Sequence, residues 1–115
     1  MTSDTPAYSP GRWAGPLLLV SGQLPVRDGQ LVTEGTRAQT LVCLENLESV
    51  LHQQGLQRRH IVRCQVYLTD MQNWSEMNDS FRAFFGDLLP ARTTVGVSLI
   101  DGALVEIDAM AYRED

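Results

Sequence analysis

The chain has 115 residues, a formal net charge of −5 and 43% hydrophobic residues. This size and composition describe one compact domain over residues 1–115, and a chain this short often completes its core by assembling with copies of itself. All nine positive charges are arginines, and their low number in an acidic chain argues against a nucleic-acid partner.

The first 15 residues are rich in Pro, Gly, Ser and Thr and end in the turn signal Gly15–Pro16, so we expect an irregular N-terminal segment. Leu17–Ser21 follows as a short buried strand. The apolar run around it, Pro16–Val20, is far shorter than the roughly 20 residues that span a bilayer. No charged leader precedes this run. The sequence therefore predicts a cytoplasmic protein without a membrane partner.

A small hairpin is predicted next, because Arg27–Gln30 has the composition of a β-turn between two short extended pieces. From Thr36 onward, leucines recur three or four residues apart, which places them on one stripe of a helix. These leucines are Leu41, Leu44, Leu47 and Leu51. Thr36 and Gln39 have the spacing of a capping box at the start of this helix, and Gly55 supplies its end.

The segment after the helix alternates as a half-buried strand does. One face carries Val62, Cys64, Val66 and Leu68, and the other carries Arg63, Gln65, Tyr67 and Thr69. Cys64 and the helical Cys43 lack a CxxC spacing. We therefore expect both cysteines to be buried small hydrophobes, and we expect neither a disulfide nor a metal site.

A second helix is predicted by large apolar residues at helical spacing, beginning at or shortly after Asp70 and ending at Gly86. These residues are Trp74, Met77, Phe81, Phe84 and Phe85. A helix that lies on a sheet requires such a stripe, so we interpret it as core and not as a ligand-binding box.

Two strands around a glycine-containing turn are predicted in the stretch Leu89–Ala111. The order of elements describes an α/β (α+β) two-layer domain, in which both helices pack on one face of a mixed sheet and leave the other face uncovered. Alternation places Glu106 and Asp108 on the uncovered face and predicts that Arg92 lies on the same side as Glu106.

Arg92 and Glu106 are charged residues on strands whose other residues suit burial. A guanidinium offers a planar fork of donors that matches a carboxylate, and a glutamate can hold and orient a water molecule. On rigid strands in a cleft between subunits, the two would form a small-molecule site. A surface or interface salt bridge between them fits the same spacing.

Seven segments carry a family resemblance. They are AYS (7–9), VSGQLP (20–25), LENLESVL (44–51), VYLTDM (66–71), MNDSFRAFFG (77–86), PARTTV (90–95) and ALVEIDAMA (103–111). Together they resemble the RidA/YjgF family of enamine and imine deaminases, long also labelled endoribonuclease L-PSP. The pair PAR[ST] and VEI[ED]AxA is specific, and the match follows essentially the whole chain in order.

The resemblance implies a chorismate-mutase-like fold assembled as a homotrimer, with the uncovered sheet faces turned inward and three pockets at the subunit interfaces. It also implies hydrolysis of 2-aminoacrylate, 2-iminobutanoate and related imines to 2-oxoacids and ammonia. The family needs neither a metal ion nor a cofactor for this reaction. The ligand is then a small imine or 2-oxoacid.

Carried over by position, the resemblance assigns catalytic roles to Arg92, which would clamp the substrate carboxylate, and Glu106, which would position the hydrolytic water. Four further residues match the family's substrate pocket, namely Tyr8, Ser21, Gly22 and Asn78. Tyr8 also fits an exposed loop aromatic, Ser21 a strand end and Asn78 an ordinary helix residue. Thr94 stands where many members have a reactive cysteine, so thiol chemistry at this pocket is excluded. Thr94 remains a predicted substrate-binding residue, since backbone groups at this position can still serve.

Further departures bear on the range of substrates, because they lie in the tyrosine segment and the arginine strand. They are Ala7, Pro10, Trp13 and Gly96. Two other function classes remain open: a regulatory trimer that binds 2-oxoacids without turnover, and a ribonuclease or translation inhibitor. The acidic balance disfavours the second, as do His52 and His60, which we expect to be peripheral and unable to form an acid–base pair.

Overall fold

The computed structural model describes residues 5–114, in which two helices pack on one face of a mixed five-stranded sheet. The strands are β1 (Gly11–Ala14), β2 (Leu17–Gln23), β3 (Val26–Arg27), β4 (Gln30–Leu31), β5 (Ile61–Leu68), β6 (Ala91–Gly96) and β7 (Val105–Tyr112), and the helices are α1 (Thr36–Gln53) and α2 (Trp74–Phe85). The large sheet has the order β1-β2-β7-β5-β6, while β3 and β4 form the predicted hairpin. The two-layer architecture is thus confirmed.

The last two strands are consecutive in the chain but do not pair with each other, because β5 lies between them. β6 runs parallel to β5, to which α2 connects it, and β7 runs antiparallel to β5. Parallel strands need a crossover connection of this kind, since a short turn cannot return the chain to the same end of the sheet. β6 is consequently an edge strand, whereas β7 is central.

The N-terminal segment is more regular than its composition predicts. Gly11–Ala14 forms β1, which pairs antiparallel with β2 in the register Gly11 to Val20. The expectation of irregular chain up to Gly15 is wrong for these four residues. The Gly15–Pro16 turn closes a hairpin, and a hairpin partner supplies the backbone hydrogen bonds that these residues would otherwise lack.

The stripe of α1 is centred differently from the leucine repeat. Its buried hydrophobic residues are Val42, Cys43, Leu44, Leu47, Val50 and Leu51. Leu41 is 40% exposed, so its assignment to the buried stripe is wrong. Spacing alone does not show which edge of a wide apolar stripe faces the core. Residues three and four positions apart lie on either side of the same line along the helix.

The capping box predicted for α1 is also wrong. The N-cap is Gly35, so no side chain caps the start of the helix, and Thr36 is the first helical residue. The Gln39 side chain instead donates to the Val32 carbonyl and accepts from the Leu104 amide, each at 2.8 Å. Gln39 therefore joins the start of α1 to the segment that leads into β7.

Strand β5 follows the predicted alternation except at its start. A bulge between Ile61 and Arg63 shifts the register, which buries Ile61 and leaves Val62 45% exposed. The prediction for Val62 is therefore wrong, while Cys64 and the apolar residues after it are buried. A bulge adds one residue to one strand, and the alternation changes phase there.

Helix α2 ends at Gly86, which has a φ of +64°, as predicted. It begins at Trp74 after a 3₁₀ turn, in which the Asp70 carboxylate accepts from the Gln72 amide. Four of the five large apolar residues of the stripe are buried. The exception is Trp74, which is 40% exposed and is not part of the core.

Both cysteines are buried and unpaired, as expected. Burial raises the pKa of Cys64 to about 12 and raises the pKa of Cys43 still further. These thiols are therefore unreactive at neutral pH. Neither helix within residues 5–114 combines the length and the apolar character needed to cross a bilayer.

Candidate functional site

The uncovered face of the sheet carries the acidic residues of β7, as predicted. Val105, Ile107, Ala109 and Ala111 are buried under the helices, and the residues between them are partly accessible. Glu106 lies opposite Tyr67 of β5, and Asp108 lies opposite Gln65. Opposed residues of neighbouring strands share a face, so these four side chains form one polar group.

Arg92 lies on the opposite face from Glu106, and the prediction that they share a side is wrong. Its register partner in β5 is the buried Cys64, and its guanidinium carbon lies 4.7 Å from the ring centre of Phe81 in α2. The helices cover the edge strand β6 incompletely, so neither of its sides has a fully buried residue. The alternation within β6 therefore does not show which side faces the helices.

An arginine half-site surrounds this guanidinium, in a cavity of about 250 Å³ between α2 and the start of β6. The cavity is lined by Asn78, Phe81, Arg82, Leu89, Pro90 and Arg92. The Trp74 ring centre lies 5.4 Å from the guanidinium carbon. Aromatic faces attract the cation and hold it in place without neutralising it.

The charge of Arg92 is not compensated within the described chain. Burial lowers the pKa of this guanidinium, yet arginine stays cationic at neutral pH because its usual pKa exceeds about 12. None of the ion pairs found in residues 5–114 includes Arg92. A salt bridge with Glu106 inside one chain is excluded, because the two side chains lie on opposite faces of the sheet.

Thr94 shares the Arg92 side of β6, two residues further on. Its hydroxyl oxygen is buried and has no hydrogen-bond partner within residues 5–114. An unpaired buried hydroxyl destabilises a fold, and such groups often mark sites of function. The structure thus adds a side-chain hydroxyl to the backbone groups considered at this predicted substrate-binding position.

A glutamate half-site occupies the other face. A cavity of about 390 Å³ is lined by Tyr8, Ser21, Gly22, Leu24, Ile100 and Glu106. The register of β2 against β7 shifts between Val20 and Gln23, so Ser21 and Gly22 lie in a bulge. Bulges are common beside active sites because they change the direction of side chains.

Gly22 makes room for the Glu106 carboxyl group. A Cβ atom at this position would lie only 3.0 Å from the Glu106 Cδ atom and would overlap the Oε2 oxygen. Glycine lets the backbone approach the carboxylate closely, which no other residue allows here without displacing it. The glycine therefore leaves the space that the carboxylate occupies.

Ser21 ties the Tyr8 segment to the sheet. Its hydroxyl donates to the Ser9 carbonyl at 2.6 Å, and its amide donates to the Pro10 carbonyl at 2.9 Å. The Tyr8 side chain is 64% exposed at the rim of the cavity. Ser21 thus acts as an anchor within the wall, while the Tyr8 hydroxyl remains accessible to a ligand.

A polar group beside Glu106 was missed by the sequence assignment. The Tyr67 hydroxyl lies 2.7 Å from Gln65 Oε1 and 2.8 Å from Asp108 Oδ2. Burial raises the pKa of Glu106, and the negative charge of Asp108 raises it further. Burial and the bond to Asp108 raise the pKa of Tyr67 to about 12. The alternation of β5 and β7 already placed these residues on one face.

The structure therefore brings the predicted site residues together in two groups. Asn78 accompanies Arg92, and Tyr8, Ser21 and Gly22 surround Glu106. The sheet separates the two groups within one chain. Trp74 and Phe81 accompany Arg92 although the sequence assigned them to the core; their spacing with Asn78, four and three residues away, could have indicated a shared helix face.

This chain matches the Endoribonuclease L-PSP family over residues 2–113. It belongs to that family, which is also named YjgF/RutC/RidA. A RutC family protein of Pyrococcus horikoshii is 36% identical over 110 residues, which cover 93% of this chain and 87% of the relative.

Solved structures of family members share the fold over nearly the whole chain. A Yersinia pestis protein of the Rid family, of unknown function, is 36% identical and superposes with a TM-score of 0.89, covering 96% of this chain and 90% of that one. Escherichia coli TdcF with bound serine is 28% identical, with a TM-score of 0.89 over 95% of this chain and 90% of that one. The family fold is thus established, although its members carry different functional names.

Proposed function

We propose that this protein hydrolyses small reactive imines and enamines, of the 2-aminoacrylate and 2-iminobutanoate class, to 2-oxoacids and ammonia. The active form is a homotrimer, and each active site combines the arginine half-site of one copy with the glutamate half-site of the next. The observation that carries this proposal is the separation of Arg92 and Glu106 on opposite faces of one sheet.

The separation favours assembly because neither half-site suffices by itself. The arginine half-site offers an uncompensated cation but has no carboxylate within 4 Å of that cation among residues 5–114. The glutamate half-site offers a carboxylate, and the residues that line its cavity include no cation to bind an acid. In a cyclic trimer each interface joins two different surfaces of the chain, so three complete sites result.

The chemistry needs little beyond these two groups. An imine next to a carboxylate is already electrophilic, so the site has to orient it and supply an aimed water. Arg92 binds the carboxylate with two parallel hydrogen bonds, and Glu106 accepts a proton from the attacking water. General acid–base catalysis of this kind contributes about 10²- to 10⁴-fold to the rate.

Binding without turnover is the second candidate, and the serine bound to the relative TdcF favours it. Serine has the carboxylate that Arg92 would hold but is no imine. The two candidates differ at Glu106, since Glu106→Gln keeps the shape of the side chain and removes its proton acceptor. A binding protein tolerates this change, whereas an enzyme loses most of its turnover.

Ribonuclease activity is not favoured by the structure. His60 is buried, contrary to the expectation that it is peripheral, and its Nδ1 atom accepts from the Gln57 amide at 2.9 Å. Four of the nine arginines form ion pairs with carboxylates, which reduces the positive charge available to phosphates. RNA cleavage that is lost in His60→Ala would contradict this ranking.

The decisive experiment tests complementation between copies. Arg92→Ala and Glu106→Gln are each made with a different affinity tag, and the imine released by an amino acid oxidase is followed with each variant alone and with the co-expressed, doubly purified mixture. We expect either variant alone to be inactive. Mixed trimers should recover roughly a third of the wild-type activity, since each trimer that contains both variants has intact partners at one of its three interfaces.

Two controls make this result specific. Light scattering should show a trimer for all three samples, and a stable monomer would contradict the shared site. Mixing two preparations that both carry Arg92→Ala should restore nothing. Activity of the mixture no higher than that of either variant alone would show that one copy supplies both residues.

A further inference from the structure

The polar group next to Glu106 contains more acceptors than hydrogens. The Tyr67 hydroxyl lies within 2.8 Å of both Gln65 Oε1 and Asp108 Oδ2, but it carries one hydrogen. Exchanging the oxygen and nitrogen positions of the Gln65 amide resolves this, since the two are hard to tell apart from their shape. Gln65 then donates to Tyr67, and Tyr67 donates to Asp108.

This chain of hydrogen bonds has a direction. Its last acceptor is the Asp108 carboxylate, and a hydrogen bond donated to a carboxylate favours the ionised form. Arg63 shares a cavity of about 310 Å³ with Gln65 and Asp108, which places a positive charge on the same side. Its guanidinium donates to the Thr93 hydroxyl at 2.9 Å. Asp108 thus accepts a hydrogen bond and lies on the same side of the sheet as a positive charge.

Glu106 has the opposite surroundings. It is two residues from Asp108 on the same face of β7, so the two carboxylates repel each other. Within one chain, the groups that face Glu106 are Gly22 of β2, Tyr67 of β5 and Tyr8 of the N-terminal segment. In the proposed trimer, Arg92 of a neighbouring copy also faces Glu106 and binds the substrate carboxylate. Its side chain forms none of the hydrogen bonds or ion pairs found within residues 5–114. When two carboxylates have such different environments, the less stabilised one carries the proton.

We propose that Gln65 and Tyr67 hold Asp108 as the hydrogen-bonded member of a carboxylate pair, so that Glu106, which forms none of these bonds, is the member that takes up and returns the proton in catalysis. This inference rests on the proposed imine hydrolysis. Gln65, Tyr67 and Asp108 are positioning residues, because they act on the substrate through Glu106. Burial and the charge of Asp108, which both raise the pKa of Glu106, agree with this assignment.

Hydrolysis consists of the addition of water and the loss of ammonia, and Glu106 carries a proton in both stages. Water adds to the carbon of the protonated imine, the π electron pair moves to nitrogen, and a water proton passes to the Glu106 carboxylate. Glu106 then returns the proton to the amino nitrogen of the carbinolamine. The C–N bond breaks with its electron pair on the departing ammonia, and the hydroxyl proton passes to Glu106 as the carbonyl forms. A final release of this proton to water restores the carboxylate.

The test measures the Glu106 carboxyl group directly. The protein is labelled with ¹³C-glutamate, the Glu106 signal is assigned by its loss in Glu106→Gln, and its titration is followed by NMR in wild type, Asp108→Asn and Tyr67→Phe. We expect a lower midpoint for Glu106 in Asp108→Asn. A smaller decrease should appear in Tyr67→Phe, because the Tyr67 hydroxyl then no longer holds the Asp108 carboxylate next to Glu106. The pH profile of imine hydrolysis should move in the same direction.

Glu34→Gln is the matched control, because it removes one negative charge from an exposed residue before α1. It should leave the midpoint unchanged. An unchanged midpoint in Asp108→Asn, or an equal shift in the control, would overturn the inference. Should Asp108→Asn fail to fold, Tyr67→Phe alone decides. The titration requires no turnover, so shifted midpoints in a protein without imine hydrolysis would refute the proposed function and leave the carboxylate pair standing.

Discussion

The arginine half-site and the glutamate half-site are built by different means. The first comes from one continuous stretch, residues 74–94, in which α2 is followed by the edge strand β6 and Phe81 lies against Arg92. The second combines residues far apart in sequence, Tyr8, Gly22 and Glu106, through strand pairing and a bulge. Local structure therefore determines where the Arg92 cation lies, and long-range strand pairing determines where the Glu106 carboxylate lies.

The two half-sites lie on one hydrophobic core, to which both Phe81 and Ile107 belong, and a cavity in this core should have the largest effect. Ile107 is fully buried next to Glu106. Ile107→Ala leaves a cavity and should lower the free energy of unfolding by about 2–5 kcal/mol. Ile107→Val, which removes one methyl group, should lower it by about 0.5–1.5 kcal/mol. Urea denaturation measures both, and equal losses would show that the site relaxes around the cavity.

The arginine half-site should respond through binding and not through folding. Arg92→Ala should abolish the binding of 2-oxobutanoate in calorimetric titration, and Arg92→Lys should restore little, because an ammonium cannot form the two parallel bonds. The fold should lose only the cation–π contact, about 0.5–1 kcal/mol. Binding that persists in Arg92→Ala would remove the carboxylate clamp, and good rescue by lysine would indicate a simple charge effect.

Turnover at the glutamate half-site should fall when a substitution only removes the space that the Glu106 carboxyl group occupies. Gly22→Ala places a methyl group against the Glu106 carboxyl group, which must move, and a displacement of about 1 Å can lower turnover roughly 10²-fold. Binding of 2-oxobutanoate should change much less. The double variant Gly22→Ala with Glu106→Gln should be no slower than Glu106→Gln alone. Additive losses would mean that Gly22 acts independently of Glu106.

The smallest effect concerns the pH dependence of stability. The pKa of Glu106 is raised in the folded state, so the native protein binds more protons than the unfolded chain between the two pKa values, and its stability falls as the pH rises through this window. Glu106→Gln removes this loss. The variant should be slightly more stable than wild type at pH 7, with the difference vanishing below pH 4 or so. Thermal melts across this range check it, and a variant less stable at pH 7 contradicts it.

Much of the fold could be predicted from the periodicity of apolar residues and from the glycine and proline signals of turns and helix ends. Both helices, their glycine ends and the two faces of β7 followed from patterns that extend over many residues. Three of the failures are single positions where the pattern changes phase or reaches the edge of a layer. Val62 lies in a bulge, Leu41 at the margin of a stripe, and Trp74 beyond the covered part of α2. Short-range patterns do not report such boundaries.

The sequence by itself determined the family, the layer architecture, and the identity of the two charged residues on strands, because each follows from the order and type of residues along the chain. Only the tertiary structure decided that Arg92 and Glu106 lie on opposite faces, since the register of β6 against β5 sets which side of an edge strand meets the helices. It also decided that Tyr67 and Asp108 are bonded, because cross-strand neighbours depend on pairing across 41 residues of sequence.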